Sequence, residues 1–365
     1  MDWIAANSVL TTKFNALASA LRTLFQRGVR TPEQACDIWL AAPAVLSRCN
    51  EQSTYEMPGA PYAYAWLHLL DRYARTWRAL EKLVEYGCLP LARDGVRTLD
   101  VGTGPGPSAF AVYDFYAAMT EFGAEKGIEQ LNQPPAITCV EFDQGTNWLR
   151  HHLAEIAFEQ FGQQSDGVLA LCHALSDFRA IVPTQERKRL QHHLRWEEEE
   201  YFDEVRNEWV GELRYSAEEA NDIAQSLHRY RLIVFSNFLT KVETARTFES
   251  NLVDVLIDAQ PGSVVLVLGG RQGPYPAVYK YVDQLAKAAG FQLAMEGEEV
   301  SSAKTEVADR IFAEGADVYA RLQHLAPNTA KQTRRIRSHF TDSRRPAPVV
   351  SQVWAYRKHG RVKTT

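Results

Sequence analysis

Between Thr98 and Ser108 the chain reads Thr-Leu-Asp-Val-Gly-Thr-Gly-Pro-Gly-Pro-Ser. An apolar stretch meets an acid, Asp100, then three alternate glycines, Gly102, Gly104 and Gly106, the first two flanking Thr103, and a helix start at Pro107. Glycine at a strand-to-helix turn lets the backbone approach a ligand closely, and the first turn of the helix offers N–H groups to an anion. The dinucleotide spacing G-x-G-x-x-G is not met, because Pro107 stands where its third glycine would fall. The pattern is D-x-G-x-G-x-G. On these residues alone a nicotinamide or flavin site and an ordinary turn stay open. Further along, the apolar run Ile137–Val140 ends in Glu141, and a carboxylate there can accept two hydroxyl hydrogen bonds at once.

Taken together, the two segments closely resemble motif I and the following acidic strand end of the class I S-adenosylmethionine-dependent methyltransferases. The resemblance implies S-adenosyl-L-methionine as cofactor and S-adenosyl-L-homocysteine as product. It implies that Asp100, Gly102, Thr103, Gly104 and Gly106 form the cofactor cradle, that Glu141 holds the ribose hydroxyls and that Phe142 packs on the adenine. In Ala170–Asp177 the family's usual acid near the adenine amine is replaced by His173, followed by Ala174; His173 is also a candidate general base. Leu232–Leu239 resembles motif IV, whose end flanks the methyl group, which nominates Ser236 and Asn237, the latter as the residue that orients the acceptor. The paired prolines of the (D/N)PP(Y/F) motif are missing after Asn237, which argues against adenine-N6 and glutamine acceptors. Carboxylates are missing there too, so no metal is expected. Methyl transfer from a sulfonium is an in-line displacement that rewards alignment and exclusion of water more than a strong base.

Candidate acceptor contacts lie in two other places. Tyr62 and Tyr64 follow the Met57-Pro58-Gly59-Ala60-Pro61 break, where a helical lid would bring aromatics to an apolar acceptor. Arg271 and Tyr275 follow the fifth strand candidate at the edge where such sheets open a crevice. A small-molecule or metabolite acceptor, methylated on O or N, is the first expectation. An RNA acceptor reached through the basic segment 331–345 is the alternative, and a non-catalytic binding protein on the same fold is a third.

To position these residues the sequence offers an α/β fold. Short apolar runs alternate with helical stretches, the signature of βαβ units and a mostly parallel sheet. Seven strands are expected: Arg97–Val101, Ala136–Phe142, Gly167–Cys172, Leu232–Ser236, Ser263–Leu268, Phe291–Glu296 and Val349–Tyr356. With helices on both faces they make a Rossmann-like domain over 96–365, with helical insertions at 178–229 and 301–348. Residues 1–95 read as helices alone. Trp66, Leu69, Leu70, Tyr73, Trp77, Leu80 and Val84 form one stripe closed by Gly87, so this region is a lid, a substrate region or a dimerisation surface.

Composition narrows the class. Of 365 residues 45% are hydrophobic and 23% charged, which excludes a disordered or fibrous chain. The five cysteines are scattered without a CxxC pair, so neither a disulfide framework nor a structural zinc site is expected. No run approaches a membrane span, and MDWIAANSVL lacks the basic start of a secretory signal; a soluble cytoplasmic protein is the expectation. The net charge of −5 hides a local −8 over Arg195–Asp222 and a local +9 over Lys331–Lys363. Such runs face a polyanion, or each other within the fold or across a homodimer.

Overall fold

The computed structural model describes residues 7–48, 52–93, 95–128, 133, 135–140, 178, 182–196, 199–203, 208–212, 216–227, 230–332, 336 and 350–359. Four of its strands are parallel and buried along most of their length, and the two central ones, Leu232–Phe235 and Val264–Leu268, are apolar throughout, as strands covered on both faces tend to be. The four are β1 (Arg97–Val101), β2 (Ala136–Val140), β5 (Leu232–Ser236) and β6 (Val264–Gly270). Alternation divides each one between two layers. Leu232, Val234, Val264 and Leu266 join one core cluster, whereas Ile233, Phe235, Val265 and Val267 join the other.

Two further strands, β7 (Phe291–Ser301) and β8 (Val350–Lys358), complete a six-stranded sheet in the order β2-β1-β5-β6-β8-β7. Strand β8 runs antiparallel to both its neighbours. Six of the seven expected strands are therefore present, and the remaining candidate, 167–172, lies outside the described residues. Strand β2 lies on one side of β1 and the returning strand β5 on the other, so the strand order reverses at β1. In open α/β sheets ligands bind at the carboxyl ends of strands at such a switch point. The Gly102–Gly106 loop follows β1 there, and Asn237 follows β5 beside it.

Helix α6 (Pro107–Lys126) follows the glycine loop and packs on one face of the sheet. The chain before β1 forms α1 (Asn7–Gly28), α2 (Pro32–Arg48), the short α3 (Gln52–Tyr55), and a continuous run of α4 (Ala60–Tyr64), a π-helical turn Ala65–Leu69 and α5 (Leu70–Glu85). These helices share one core cluster with α6 and the sheet: Phe14, Leu21, Trp39, Tyr73 and Trp77 belong with Phe115, Val234 and Leu266. The opposite face is covered by α9 (Val242–Thr247), α10 (Glu249–Asp258) and α11 (Tyr275–Ala288).

The insertions differ in character. Between β2 and β5 lie α7 (Pro183–Trp196), a hairpin of β3 (Glu199–Asp203) and β4 (Glu208–Glu212), and α8 (Ala217–Leu227). The expectation of a purely helical insertion is corrected here: Tyr201, Phe202, Trp209 and Val210 are strand formers set among the acids, and they pair Tyr201 with Val210 and Phe202 with Trp209. The insertion between β7 and β8 is helical where described, with α12 (Ala308–Leu325) and α13 (Pro327–Gln332). Among the described residues no helix is long and apolar enough to cross a membrane.

Candidate functional site

The loop after β1 is built from backbone conformations that a side chain would resist. Gly102, Gly104 and Gly106 have φ of +69°, +53° and +91°, all in the left-handed region. The Gly102 and Thr103 N–H groups both donate to the Val140 carbonyl, at 2.9 and 3.0 Å, which anchors the loop to the end of β2. The Gly106 N–H then closes the turn on the Thr103 carbonyl at 2.9 Å. Beneath it, the Thr103 hydroxyl donates to Asp100 Oδ2 at 2.6 Å, and Asp100 is only 1% exposed. Asp100 is thus a brace for the loop, a role its position in the motif did not distinguish from direct ligand contact. Helix α6 starts at Pro107 and no side chain caps it, so no cap competes for the amides of its first turn.

The end of β5 faces this loop. A Cβ on Gly102 would stand 2.5 Å from the Phe238 ring, so glycine is required both by φ and by the close approach of the two strand ends. Phe238 is held by Phe178 and Phe248, with ring centroids 5.9 and 5.2 Å away. Between β5 and Phe238 sits Asn237, at φ +56° the one non-glycine residue with positive φ among the described residues. Its N–H donates to the Leu268 carbonyl at 2.8 Å, and its Nδ2 lies 3.4 Å from the Ser236 hydroxyl. Asparagine tolerates this conformation better than most residues, and such positions concentrate at functional sites.

Helix α5 roofs the same edge of the sheet. Thr76 and Ser108 place their hydroxyls 3.3 Å apart, which sets α5 against the start of α6. Arg75 is 4% exposed; it donates to Ser351 at the start of β8 and to Asp71 Oδ2 at 2.5 Å, and Asp71 accepts from Ser302 just past β7, also at 2.5 Å. Gly270 at the end of β6 pairs in register with Ser351. At about 4.8 Å per strand, Ser351 on β8 is two strand spacings, roughly 10 Å, from the end of β5. The spacing of Asp71 and Arg75 is visible in sequence as an i,i+4 pair, but their partners Ser302 and Ser351 lie far along the chain and carry no local signal. Deeper under α5, the Tyr73 hydroxyl donates to Asp114 Oδ2 at 2.7 Å. Burial raises the Asp114 carboxyl to about 6 against the pull of that hydrogen bond and of Lys13, and burial likewise drives the Tyr73 phenol far up.

The acceptor candidates fall in different places. Tyr64 is buried under the roof, where Arg72 donates to its hydroxyl and stands 4.8 Å over its ring. Tyr62 instead faces a separate cavity between α1 and α2. The Tyr275 ring lies on the Gly269–Gly270 backbone at the end of β6, close enough that a Cβ on either glycine would fall 2.5 to 2.6 Å from it. Arg271 is surface-exposed and pairs with Glu299 at 2.9 Å. Glu141, Phe142, His173 and Ala174 lie outside the described residues. The loop, Ser236 and Asn237 are thus brought together at one edge, with Tyr275 at the end of β6 on the same edge, whereas Tyr64 stands on α4, which packs on α2.

No protein-family model matches the chain, and no curated protein matches it. Among solved structures, it is similar to an S-adenosylmethionine-dependent methyltransferase from Geobacter sulfurreducens in complex with S-adenosyl-L-homocysteine, at 13% identity over 77% of this chain and 91% of the other, with a TM-score of 0.36. It is similar to the [4+2]-cyclase SpnF at 17% identity over 78% and 80% of the two chains, with a TM-score of 0.36. A third, phosphoethanolamine N-methyltransferase 2 of Haemonchus contortus, shares 12% identity over 82% of this chain and 57% of its own, with a TM-score of 0.35. Likeness this distant leaves the functional reading to the strand order, the loop and its surroundings.

Proposed function

We propose that the chain binds S-adenosyl-L-methionine at the Gly102–Gly106 loop and transfers its methyl group to a small-molecule acceptor that enters over the ends of β5 and β6. One observation carries the reading: three consecutive alternate glycines, all with positive φ, join an acid-bearing strand to an uncapped helix at the switch point of the sheet. When bound, the cofactor supplies a methyl group on a sulfonium, which leaves without help from a general acid. The chain's own part is to hold and to exclude water. Thr103 and Asp100 keep the loop in its shape, the first amides of α6 suit the cofactor's carboxylate, and Glu141 is the proposed ribose contact. Asn237 is proposed to orient the acceptor through its amide.

A small acceptor is preferred to RNA for a specific reason. The basic segment 331–345 lies outside the described residues except for 331, 332 and 336; of the ten bases of the C-terminal run, Arg357 and Lys358 stand at the far end of β8, the edge of the sheet opposite the loop. There Lys358 Nζ donates to the Leu256 and Ile257 carbonyls at 2.7 and 2.8 Å, and Arg357 to the Gly87 carbonyl at 3.4 Å. Over the carboxyl edge of the sheet the chain sets the buried Arg75 instead, held to Ser351 and Asp71, and enclosure favours a small ligand. Thermal unfolding with S-adenosylmethionine, S-adenosylhomocysteine and NAD tests the cofactor, since a ligand at about 100 times its Kd adds roughly 2.7 kcal/mol. A raised midpoint with both adenosyl ligands and none with NAD is expected. Equal response to NAD, or none to the adenosyl pair, overturns the reading.

A further inference from the structure

Away from the glycine loop, a cavity of about 350 Å³ lies between the carboxyl end of α1, helix α2 and the turn that leads into α4. None of its lining residues belongs to the glycine loop or to the end of β5. Its size falls within the range of small-molecule sites. Val29, Ile38 and Pro58 give it apolar walls, Tyr62 gives it an aromatic ring, and Asp37 is the formally charged residue of the lining.

Two glycines make the cavity's shape. A Cβ on Gly28 would stand 2.1 Å from the Tyr62 hydroxyl, and a Cβ on Gly59 would stand 2.3 Å from the Asp37 carbonyl oxygen. The phenol therefore rests against the last residue of α1, and the turn rests on the backbone of α2. Tyr62 is fixed from behind by an edge-on contact with Phe25, centroids 5.5 Å apart. The carboxyl end of α1 is already served by a cation of the chain itself, Arg321, which donates to the Gln26 and Val29 carbonyls at 3.3 and 2.8 Å, so the charge preference of the cavity rests on Asp37. Asp37 carries a full negative charge on the α2 side.

We propose that this cavity binds a small organic cation, an amine with an apolar body, with Asp37 as its counter-ion and the Tyr62 ring as a π face. The site is independent of the cofactor reading and stands or falls without it. Three probes of one shape test it: benzylamine as the cation, benzyl alcohol as the neutral form and benzoate as the anion, titrated by calorimetry against the full chain. Benzylamine is expected to bind most tightly. Asp37→Asn, a change at an exposed position, should weaken it roughly fivefold, the upper range for a partly solvated ion pair, and leave benzyl alcohol unchanged. Gly28→Ala, whose methyl would stand 2.1 Å from the Tyr62 hydroxyl and so displaces the phenol from its place in the lining, should weaken binding of benzylamine while thermal unfolding reports an intact fold. Equal affinity for the three probes, no binding at millimolar concentration, or benzylamine affinity indifferent to both substitutions overturns the proposal.

Discussion

Gly102→Ala probes the junction of the two strand ends in a form that can be worked through. The new methyl meets two independent costs. At φ +69° an L-residue carries a left-handed penalty of about 1–2 kcal/mol. In addition the Cβ would fall 2.5 Å from Phe238 Cδ2 and 2.9 Å from its Cβ and Cγ, and the ring is backed by Phe178 and Phe248. Overpacking of this kind costs about 1–3 kcal/mol, so the single substitution should lose roughly 2–5 kcal/mol in urea unfolding. Phe238→Ala separates the costs, because it removes the ring and leaves the backbone conformation alone. In the double variant the clash with the ring goes, while the Cβ at 238, 2.9 Å from the new methyl, and the φ penalty stay, so the two changes should fail to add by up to about 1–3 kcal/mol, outside the few tenths expected of independent sites. Affinity for S-adenosylhomocysteine, measured by calorimetry on the same four proteins, should fall in Gly102→Ala and stay low in the double variant, since the loop backbone is what the ligand needs. Additive stabilities would refute the contact between loop and ring. A Gly102→Ala cost below about 1 kcal/mol would refute the left-handed turn itself.

Other expectations concern the brace, the strand end and the buried acid. Thr103→Val takes a hydrogen bond from the buried Asp100 carboxylate and should cost about 1–3 kcal/mol by denaturant unfolding, with weaker binding of S-adenosylhomocysteine; an unchanged midpoint and affinity would show that the brace holds nothing. Asn237→Gly should preserve stability and cofactor affinity, whereas Asn237→Val should lose about 1–2 kcal/mol, because φ +56° is open to glycine and closed to a β-branched residue; equal stability of the two would contradict the conformation. Asp114 has its folded pKa raised from 3.8 to about 6, so the ionised form is disfavoured in the fold and stability is lost as pH rises from about 4 through 6. Asp114→Asn keeps an oxygen for the Tyr73 hydroxyl and removes that loss: its advantage over wild type should be near zero at pH 4 and grow to at most about 3 kcal/mol by pH 7, read from urea midpoints across the range. A pH-independent difference would place the carboxyl in a better solvated setting.

Fold and site were legible to different depths, and the reason is the range over which each signal acts. Strands β5 and β6 announce themselves because a parallel strand buried on both faces must be apolar throughout, as Leu232–Phe235 and Val264–Leu268 are. The hairpin at 199–212 escaped for the opposite reason: Tyr201, Phe202, Trp209 and Val210 were outweighed by the acids between them, and a charge run masks a strand's alternation. Likewise Arg97–Val101 and the three glycines could be placed from spacing alone, since a turn of this kind depends on its own few residues. The roof could not. The stripe of α5 is readable, but the polar side that holds Arg75 to Ser351 and Asp71 to Ser302 depends on residues more than two hundred positions away.

That contrast bears on how acceptor and cofactor specificity are built. The loop that would cradle the proposed cofactor sits on one short local motif, which any sequence with D-x-G-x-G-x-G can supply, with Glu141 proposed from the end of the next strand. The residues proposed to enclose the acceptor side come from α5, from the ends of β6 and β7 and from the start of β8, and they are held by buried polar bonds. A buried arginine without its partners is costly, so Arg75 fixes the position of α5 over the sheet as firmly as the apolar stripe fixes its face. Arg72 follows Asp71 directly on the same continuous helical run, and Tyr64, to whose hydroxyl Arg72 donates, lies about two turns before it. The chemistry of the proposed acceptor is therefore to be sought in the side chains that α5 and the ends of β6, β7 and β8 hold over this edge, and the glycine loop, common to many sheets of this kind, says nothing about it.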